Sequence, residues 1–371
     1  QSWFAVEHTQ ALAKAGDTVV VDVMDQSFIL TRDKKGQMHA FHNVCSHRGS
    51  KLCSKNGNNK RLNCPYHHWS YNLQGKLVGA PFFERENFDK LQHGLKPVKL
   101  EVQFGIIWLN LDLDAPGLLD SLSGGPQELE QYPFSELDLV GRQEYTPECD
   151  WKLLAENFVE WYHIPAVHPA LDKFSKPAYH IENQGDGKYV GFVTSPLSDT
   201  GSACDSHQWK LSPGSEEMSM AAPRLFDPKN TAYFYHLFPN VSITVYPHSV
   251  YTLIMMPGRE VSTSIEKLSF LQHPKCRLDS DDDETFWRKR QEVYDFVKTV
   301  NDEDMDICQK VGKGVRQSSY TGGMFCPEHE WTTYRFQNLM ADALTGAEIA
   351  SPAAFAPAPR ETPLEDLPPA E

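Results

Sequence analysis

Hydrophobic positions change their spacing along this chain. From about Trp3 to Asp112 they alternate with polar residues or come in short bursts. TVVVDVM, SFILTRD and MHAFHNV are rich in Val, Ile, Phe and Thr, which predicts short strands. Asp33-Lys34-Lys35-Gly36 supplies a turn between two of them, and RLNCPYHHWSYNLQGKLVGAP reads as a further hairpin turning at Asn72-Leu73-Gln74-Gly75. GIIWLNLD closes this all-β unit, and Asp114 to Gly125, with Pro116, Gly117 and two adjacent glycines, reads as a linker. Beyond it a helix is predicted over roughly Trp151 to His163. Strand-like runs follow (YFYHLF, VSITVY, VYTLIMM, STSIEKLSFLQ), and then a long charged helix from about Asp282 to Val311. The Pro- and Ala-rich end lacks an apolar period and is expected to be disordered. The predicted organisation is α+β, with an all-β domain over 1–113, a mixed catalytic domain over 114–348 and a tail over 349–371.

Two hairpin ends in the first unit carry the most informative chemistry. Cys45-x-His47 and Cys64-x2-His67 each pair a thiolate with an imidazole, sixteen residues apart. A Rieske [2Fe–2S] cluster takes two Cys on one iron and two His on the other. A structural zinc site also accepts two Cys and two His, but zinc fingers usually place the Cys pair in one arm and the His pair in the other. The mixed arms favour the cluster.

Composition narrows the rest. With 371 residues there is room for two sizeable cores, and no apolar run is long enough to span a bilayer. A net charge of −15 argues against nucleic acid and suits a cationic substrate or a basic redox partner. Cys53, Cys149, Cys204, Cys276, Cys308 and Cys326 are scattered without framework spacing, so a reducing compartment is expected. That compartment is the cytoplasm, or an organelle matrix or plastid stroma if a targeting segment was removed before Gln1.

A second constellation lies in ENFVEWYHIPAVHP. Asn157, Glu160 and His163 recur every three residues and would share a helical face, and Pro165 would break the helix so that His168 swings back towards His163. Two converging histidines suit a metal with open coordination positions, whereas the ordinary alternative is a solvated polar face. In the long helix, Val293, Val297, Val300, Ile307 and Val311 form an apolar stripe. Asp304 falls on that stripe, while Asp302, Glu303 and Asp306 fall off it and are expected to be solvated. A carboxylate on a buried face is costly unless paired or metal-bound, which singles out Asp304.

These residues together resemble the oxygenase (alpha) subunit of Rieske non-haem iron oxygenases. The similarity runs from Trp3 to about Leu344 and rests on four stretches. They are CSHRGSKLCSKNGNNKRLNCPYHHWSYNLQGKL, ENFVEWYHIPAVH, Glu303-Asp304-x-x-Ile307-Cys308, and GMFCPEHEWTTYRF. The resemblance implies a Rieske domain followed by a helix-grip (START-like) domain with a wide antiparallel sheet. It implies Cys45, His47, Cys64 and His67 on the cluster, and His163, His168 and Asp304 on a mononuclear iron. It also implies a homotrimer in which Glu160 bridges a cluster histidine of one subunit to His163 of the next. The ENF-x-E-x-YH arrangement is similar to the branch acting on choline, glycine betaine and carnitine. One departure stands out: His68 occupies a position that is Gly in most of the family.

On this reading the protein is a monooxygenase of a small quaternary ammonium compound, using O2 and giving an aldehyde or a demethylated or cleaved product. The ammonium group would rest on aromatic faces, with Trp161, Tyr233, Tyr235, Phe238, Tyr246 and Tyr251 as candidates. The alternatives are a Rieske hydroxylase or demethylase of an aromatic or natural-product substrate, and a pure electron carrier. No dinucleotide fingerprint or plant-type ferredoxin cysteine run is present. Electrons are therefore expected from NAD(P)H through a separate ferredoxin or flavin/iron–sulfur reductase.

Overall fold

Val- and Ile-rich alternation near the N-terminus produces the expected strands in a computed structural model. It describes residues 2–83, 88–173, 175–181, 187–196, 232–246, 249–274, 277, 281–327 and 329–346; the expected tail over 349–371 lies outside them. The chain divides into two compact units, 1–121 with 256–261, and 122–255 with 262–371.

In the first unit β1 (Phe4–His8), β2 (Asp17–Val23), β3 (Gln26–Arg32), β4 (Met38–His42), β5 (Gly57–Asn58), β9 (Pro97–Gln103) and β10 (Ile106–Asn110) form one antiparallel sheet, in the order β1-β10-β9-β4-β3-β2-β5. A small sheet of β6 (Leu62–Asn63), β7 (Ser70–Tyr71) and β8 (Leu77–Gly79) carries the second ligand pair. Its turn is built as the sequence predicts. Asn72 Oδ1 accepts the N–H groups of Gln74 and Lys76, and Gly75 has φ +77°. A Cβ at Gly75 would lie 2.4 Å from the Phe41 ring, so only glycine fits there. Asp33, in the other predicted turn, accepts Gln74 Nε2–H at 2.7 Å and so ties the two hairpins together. Beneath the ligand loops lies a core of Ile29, Phe41, Leu62, Trp69, Tyr71 and Leu77.

A helical turn, α1 (Leu118–Ser121), interrupts the expected linker, and α2 (Gln127–Gln131) opens the second unit. This unit holds an antiparallel seven-stranded sheet of β11 (Asp138–Tyr145), β12 (Ser175–Ile181), β13 (Tyr189–Pro196), β14 (Ala232–Leu237), β15 (Val241–Val245), β16 (Ser249–Pro257) and β17 (Ser264–Gln272). Their order is β11-β17-β16-β15-β14-β13-β12. The helices are α3 (Trp151–Phe158), α4 (Ile164–Val167), α5 (Asp283–Gly314) and α6 (Trp331–Thr345). β11, β12, β13 and α6 fall where no element was expected; β11, DLVGRQEY, is largely polar and half-exposed, so it shows no alternation to read.

Helix α5 starts at Asp282, whose side chain accepts the Thr285 N–H at 2.8 Å. It lies close on β11: a Cβ at Gly141 would come within 2.6 Å of the Tyr294 ring. Its buried line runs Val293, Val297, Asn301, Met305, Cys308, Gly312, while Val311 is 43% exposed. This corrects the expected stripe. Asp304 flanks the packed line instead of lying on it, because small and hydrogen-bonded polar residues, not only apolar ones, fill the contact. Among the described residues no helix is long and apolar enough to cross a membrane.

Candidate functional site

In the first unit the loops after β4 and β6 bring the two Cys–His pairs face to face. Cys45 and Cys64 are each 2% exposed, and the rings of His47 and His67 lie 4.6 Å apart. The imidazole Nδ1 atoms of both histidines are buried without a hydrogen-bond partner among the described residues. An unpartnered buried nitrogen is costly, and a metal bond removes that cost. Burial, then the neighbouring His47 and Arg48, lowers the pKa of His67 and favours the neutral ring that ligation needs. Burial pushes the Cys45 thiol up; at Cys64 the N–H groups of Tyr66 and His67 outweigh burial and hold it down. Two thiols and two imidazoles, one of each from either loop, suit the mixed ligand set of a two-iron cluster. A second group, of three side chains whose ligand atoms lie within 4.8 Å of one another, is in the other unit.

Several neighbours of this pocket escaped the sequence reading. Tyr71 Oη lies 3.2 Å from Cys45 Sγ, and Trp69 stacks on His47 with centroids 4.7 Å apart at 9°. The inward alternation of Trp69, Tyr71 and Leu73 was the available signal. His68 has φ +57°, the left-handed region that explains why glycine is usual there.

The group within 4.8 Å is His163, His168 and Asp304. The helix expected to reach His163 stops at Phe158. A continuing helix would bond the His163 N–H to the Val159 carbonyl, but the Thr332 hydroxyl takes that carbonyl. Glu160 Oε2 instead accepts the His163 N–H at 3.1 Å. Pro165 is not the breaker either; it sits in the first turn of α4, where its missing N–H costs nothing. Asn157, on α3, and Glu160 and His163, on the following turn, therefore do not share a helical face.

The site is dense in hydrogen bonds. Asp304 Oδ1 lies 2.8 Å from His168 Nε2 and 3.4 Å from His163 Nε2, and accepts Asn157 Nδ2–H at 2.6 Å. His163 Nδ1 contacts Glu160 Oε1, and His168 Nδ1 contacts Glu303 Oε2 at 2.7 Å. Glu303 is thus not merely solvated, as its place off the stripe suggested; nothing in residue spacing signals the contact. Burial would raise Asp304, but the two imidazoles outweigh it and hold the carboxyl at about 2. Burial opposes charge on His163, yet Asp304 and Glu160 push its pKa up to about 9 in the metal-free protein. Two imidazoles and a carboxylate converging on one point, with carboxylates on the outer ring nitrogens, suit a divalent iron with open positions.

The aromatic candidates do not all gather here. Trp161 and Tyr246 are buried in one cluster with Ile164, Phe192 and Phe234, and Tyr251 packs against it. Tyr233 and Tyr235 stack on each other on the opposite face of β14 from Phe234, and Tyr235 donates to Glu128 at 2.6 Å. Phe238 packs on Phe336. A group absent from the sequence reading is Glu266 on β17, 1% exposed and accepting Asn301 Nδ2–H at 2.8 Å.

Comparison with known proteins agrees with both centres. The glycine betaine monooxygenase oxygenase subunit of Chromohalobacter salexigens is 36% identical over 170 residues, 46% of this chain and 38% of that protein. The match therefore spans well under half of that relative. The carnitine monooxygenase oxygenase subunit of Acinetobacter baumannii is 26% identical over 333 residues, 87% of this chain and 81% of that protein. A solved structure of a quaternary ammonium Rieske monooxygenase superposes with a TM-score of 0.75 at 22% identity, covering 92% of this chain and 88% of that one. The Rieske [2Fe–2S] domain family matches residues 2–98, and the family of the ring hydroxylating alpha subunit (catalytic domain) matches residues 134–346. The chain therefore belongs to the ring hydroxylating alpha subunits, with a β-rich Rieske domain ahead of a mixed α/β catalytic domain.

Proposed function

We propose that this protein is a Rieske monooxygenase that hydroxylates a small quaternary ammonium compound, choline-, betaine- or carnitine-like, with O2 and externally supplied electrons. The observation that carries the reading is the convergence of His163, His168 and Asp304 within 4.8 Å, in a chain that also holds two Cys–His arms. Bound there, the cluster and the ferrous ion would supply one-electron transfer and O2 activation for insertion of one oxygen atom into a C–H bond. Cys45, Cys64, His47 and His67 would hold the cluster, and His163, His168 and Asp304 would hold the iron. Asn157 orients Asp304 through its 2.6 Å hydrogen bond.

Trp161, Tyr246 and Tyr251, lying next to the turn that carries His163, form the wall for the ammonium group. Each cation–π contact contributes about 0.5–2 kcal/mol once desolvated. The net charge of −15 favours approach of a cation. If the hydroxylated carbon bears the ammonium nitrogen, the product collapses to an aldehyde and the free amine, with release of a proton. Names of the relatives support this substrate class. The seven-stranded antiparallel sheet with α5 supports the helix-grip assignment. In the complete cycle, a ferredoxin or flavin/iron–sulfur reductase fed by NAD(P)H is the donor. Glu160 links a cluster histidine of one subunit to His163 of its neighbour in a homotrimer.

The test is oxygen uptake by anaerobically purified, reduced protein across choline, glycine betaine, carnitine, related methylamines and aromatic acids. Stimulation by a quaternary ammonium compound with matching product is the expected result. Uptake stimulated by none of them, or by the aromatic acids alone, overturns the substrate assignment.

A further inference from the structure

His168 lacks regular helical support. It follows α4 with φ −120° and ψ 63°, so its backbone leaves the ring direction unspecified. Its side chain is nevertheless fully buried, and both ring nitrogens are engaged: Nε2 with Asp304 Oδ1 at 2.8 Å, Nδ1 with Glu303 Oε2 at 2.7 Å. The two carboxylates are consecutive residues of α5. A carboxylate at Nδ1 makes that nitrogen the N–H donor and leaves the Nε2 lone pair facing the point where Asp304 and His163 converge. His163 is braced differently, by Glu160 three residues earlier in the same turn, which also caps its backbone N–H. The brace on His168 comes from 135 residues away and keeps one side in solvent, Glu303 being 38% exposed.

We infer that Glu303 is the positioning residue for His168: it fixes the ring with Nε2 as the ligating atom and thereby sets how firmly the site holds iron. This rests on the reading of His163, His168 and Asp304 as the iron ligands. A carboxylate that only clasped α4 to α5 would act through folding and would leave iron retention unchanged in a folded variant.

The experiment uses the full chain carrying both centres. It measures mononuclear iron per chain and the rate of ferrous release to a chelator, with the visible absorption of the cluster as internal standard. Glu303→Ala is expected to release iron about 10–100-fold faster with the cluster spectrum intact. Glu303→Gln, whose amide oxygen can accept the same hydrogen bond, is expected to stay close to the unmodified protein. Glu303→Asp, which keeps the charge on a shorter arm, is expected to release faster than the Gln variant. Unchanged release in Glu303→Ala overturns the inference. So does a Gln variant that loses iron faster than the Asp variant, which still decides the matter if the Ala variant does not fold. Asp304→Ala separates the two levels. If it keeps its iron, the ligand assignment itself fails; if it loses iron while Glu303→Ala does not, only the role of Glu303 fails.

Discussion

The two metal sites are built on opposite principles. In the Rieske unit the buried Nδ1 atoms of His47 and His67 have no protein partner among the described residues, and the nearest reinforcement is a neutral hydroxyl, Tyr71. In the catalytic unit His163, His168 and Asp304 bond to one another and to Glu160, Glu303 and Asn157. In the first pocket the two imidazole nitrogens would be satisfied by an inorganic group bonded to them. The second can satisfy itself through hydrogen bonds. An electron relay gains from a fixed group, and a reaction centre from a metal with exchangeable positions, so the difference fits the proposed division of labour.

The largest expected effect tests that contrast directly. His67→Ala leaves Cys45, Cys64 and His47 without their common partner, so cluster absorption and the cooperative unfolding of the Rieske unit are expected to be lost together. Asp304→Asn keeps an oxygen towards His168 and Asn157. It is expected to abolish substrate-dependent oxygen uptake while calorimetry shows a nearly unchanged unfolding midpoint. If Asp304→Asn melted the catalytic unit as thoroughly, the notion of a self-satisfied site would fail.

A smaller effect comes from the carboxyl-rich surroundings of the second site. Burial pushes Glu266 up to about 8, aided by the Asp304 charge and opposed by the Asn301 hydrogen bond. Its folded pKa lies above the unfolded value of 4.5, so the folded protein keeps a proton that the unfolded chain releases. The stabilisation is complete below about pH 4.5 and is lost as pH rises through about 8. Over the whole interval this amounts to on the order of 5 kcal/mol, of which roughly 3 falls above pH 6. Urea unfolding at pH 6 and pH 8.5 is expected to show a loss to which both Glu266 and His163 contribute, and Glu266→Gln to make it smaller. An equal slope in that variant would assign the pH dependence to other groups.

The contrast also shows why the two regions were unequally legible. Cys45, His47, Cys64 and His67 announce themselves by residue type and spacing, and the predicted Gly75 turn is built as the sequence reads. In the catalytic unit residue type and spacing mark His163, His168 and Asp304, but distant partners shape the backbone around them. Helix α3 stops because Thr332, far along the chain, takes the Val159 carbonyl. Asp304 lies beside the buried line of α5 because Asn301, satisfied by Glu266, fills a place expected for an apolar side chain. Such partners are separated by up to 173 residues, and periodicity records only neighbours. Half-exposed β11 was missed for the same reason: its pairing with β17, not its own pattern, makes it a strand.

Within the Rieske pocket, Tyr71→Phe sharpens the claim that neutral groups tune the cluster. Removing the hydroxyl near Cys45 Sγ deletes a hydrogen bond worth about 1 kcal/mol and returns electron density to the sulfur. A redox titration is expected to give a lower reduction potential with the cluster still bound. An unchanged or raised potential would mean that the Tyr71 hydroxyl does not donate to the sulfur.

The smallest effect is at His68. Its φ of +57° places an exposed non-glycine residue in the left-handed region between a cluster ligand and Trp69. For an L-residue that conformation costs about 1–2 kcal/mol, whereas glycine adopts it freely but loses more entropy on folding. The two terms nearly cancel, so His68→Gly is expected to stabilise the Rieske unit by at most about 1 kcal/mol. Thermal unfolding would read this as a midpoint raised by a few degrees or less, with unaltered cluster absorption. A clear loss of stability would show that the imidazole makes a contribution the backbone strain conceals. It would then place a third histidine among the groups on which the Rieske pocket depends.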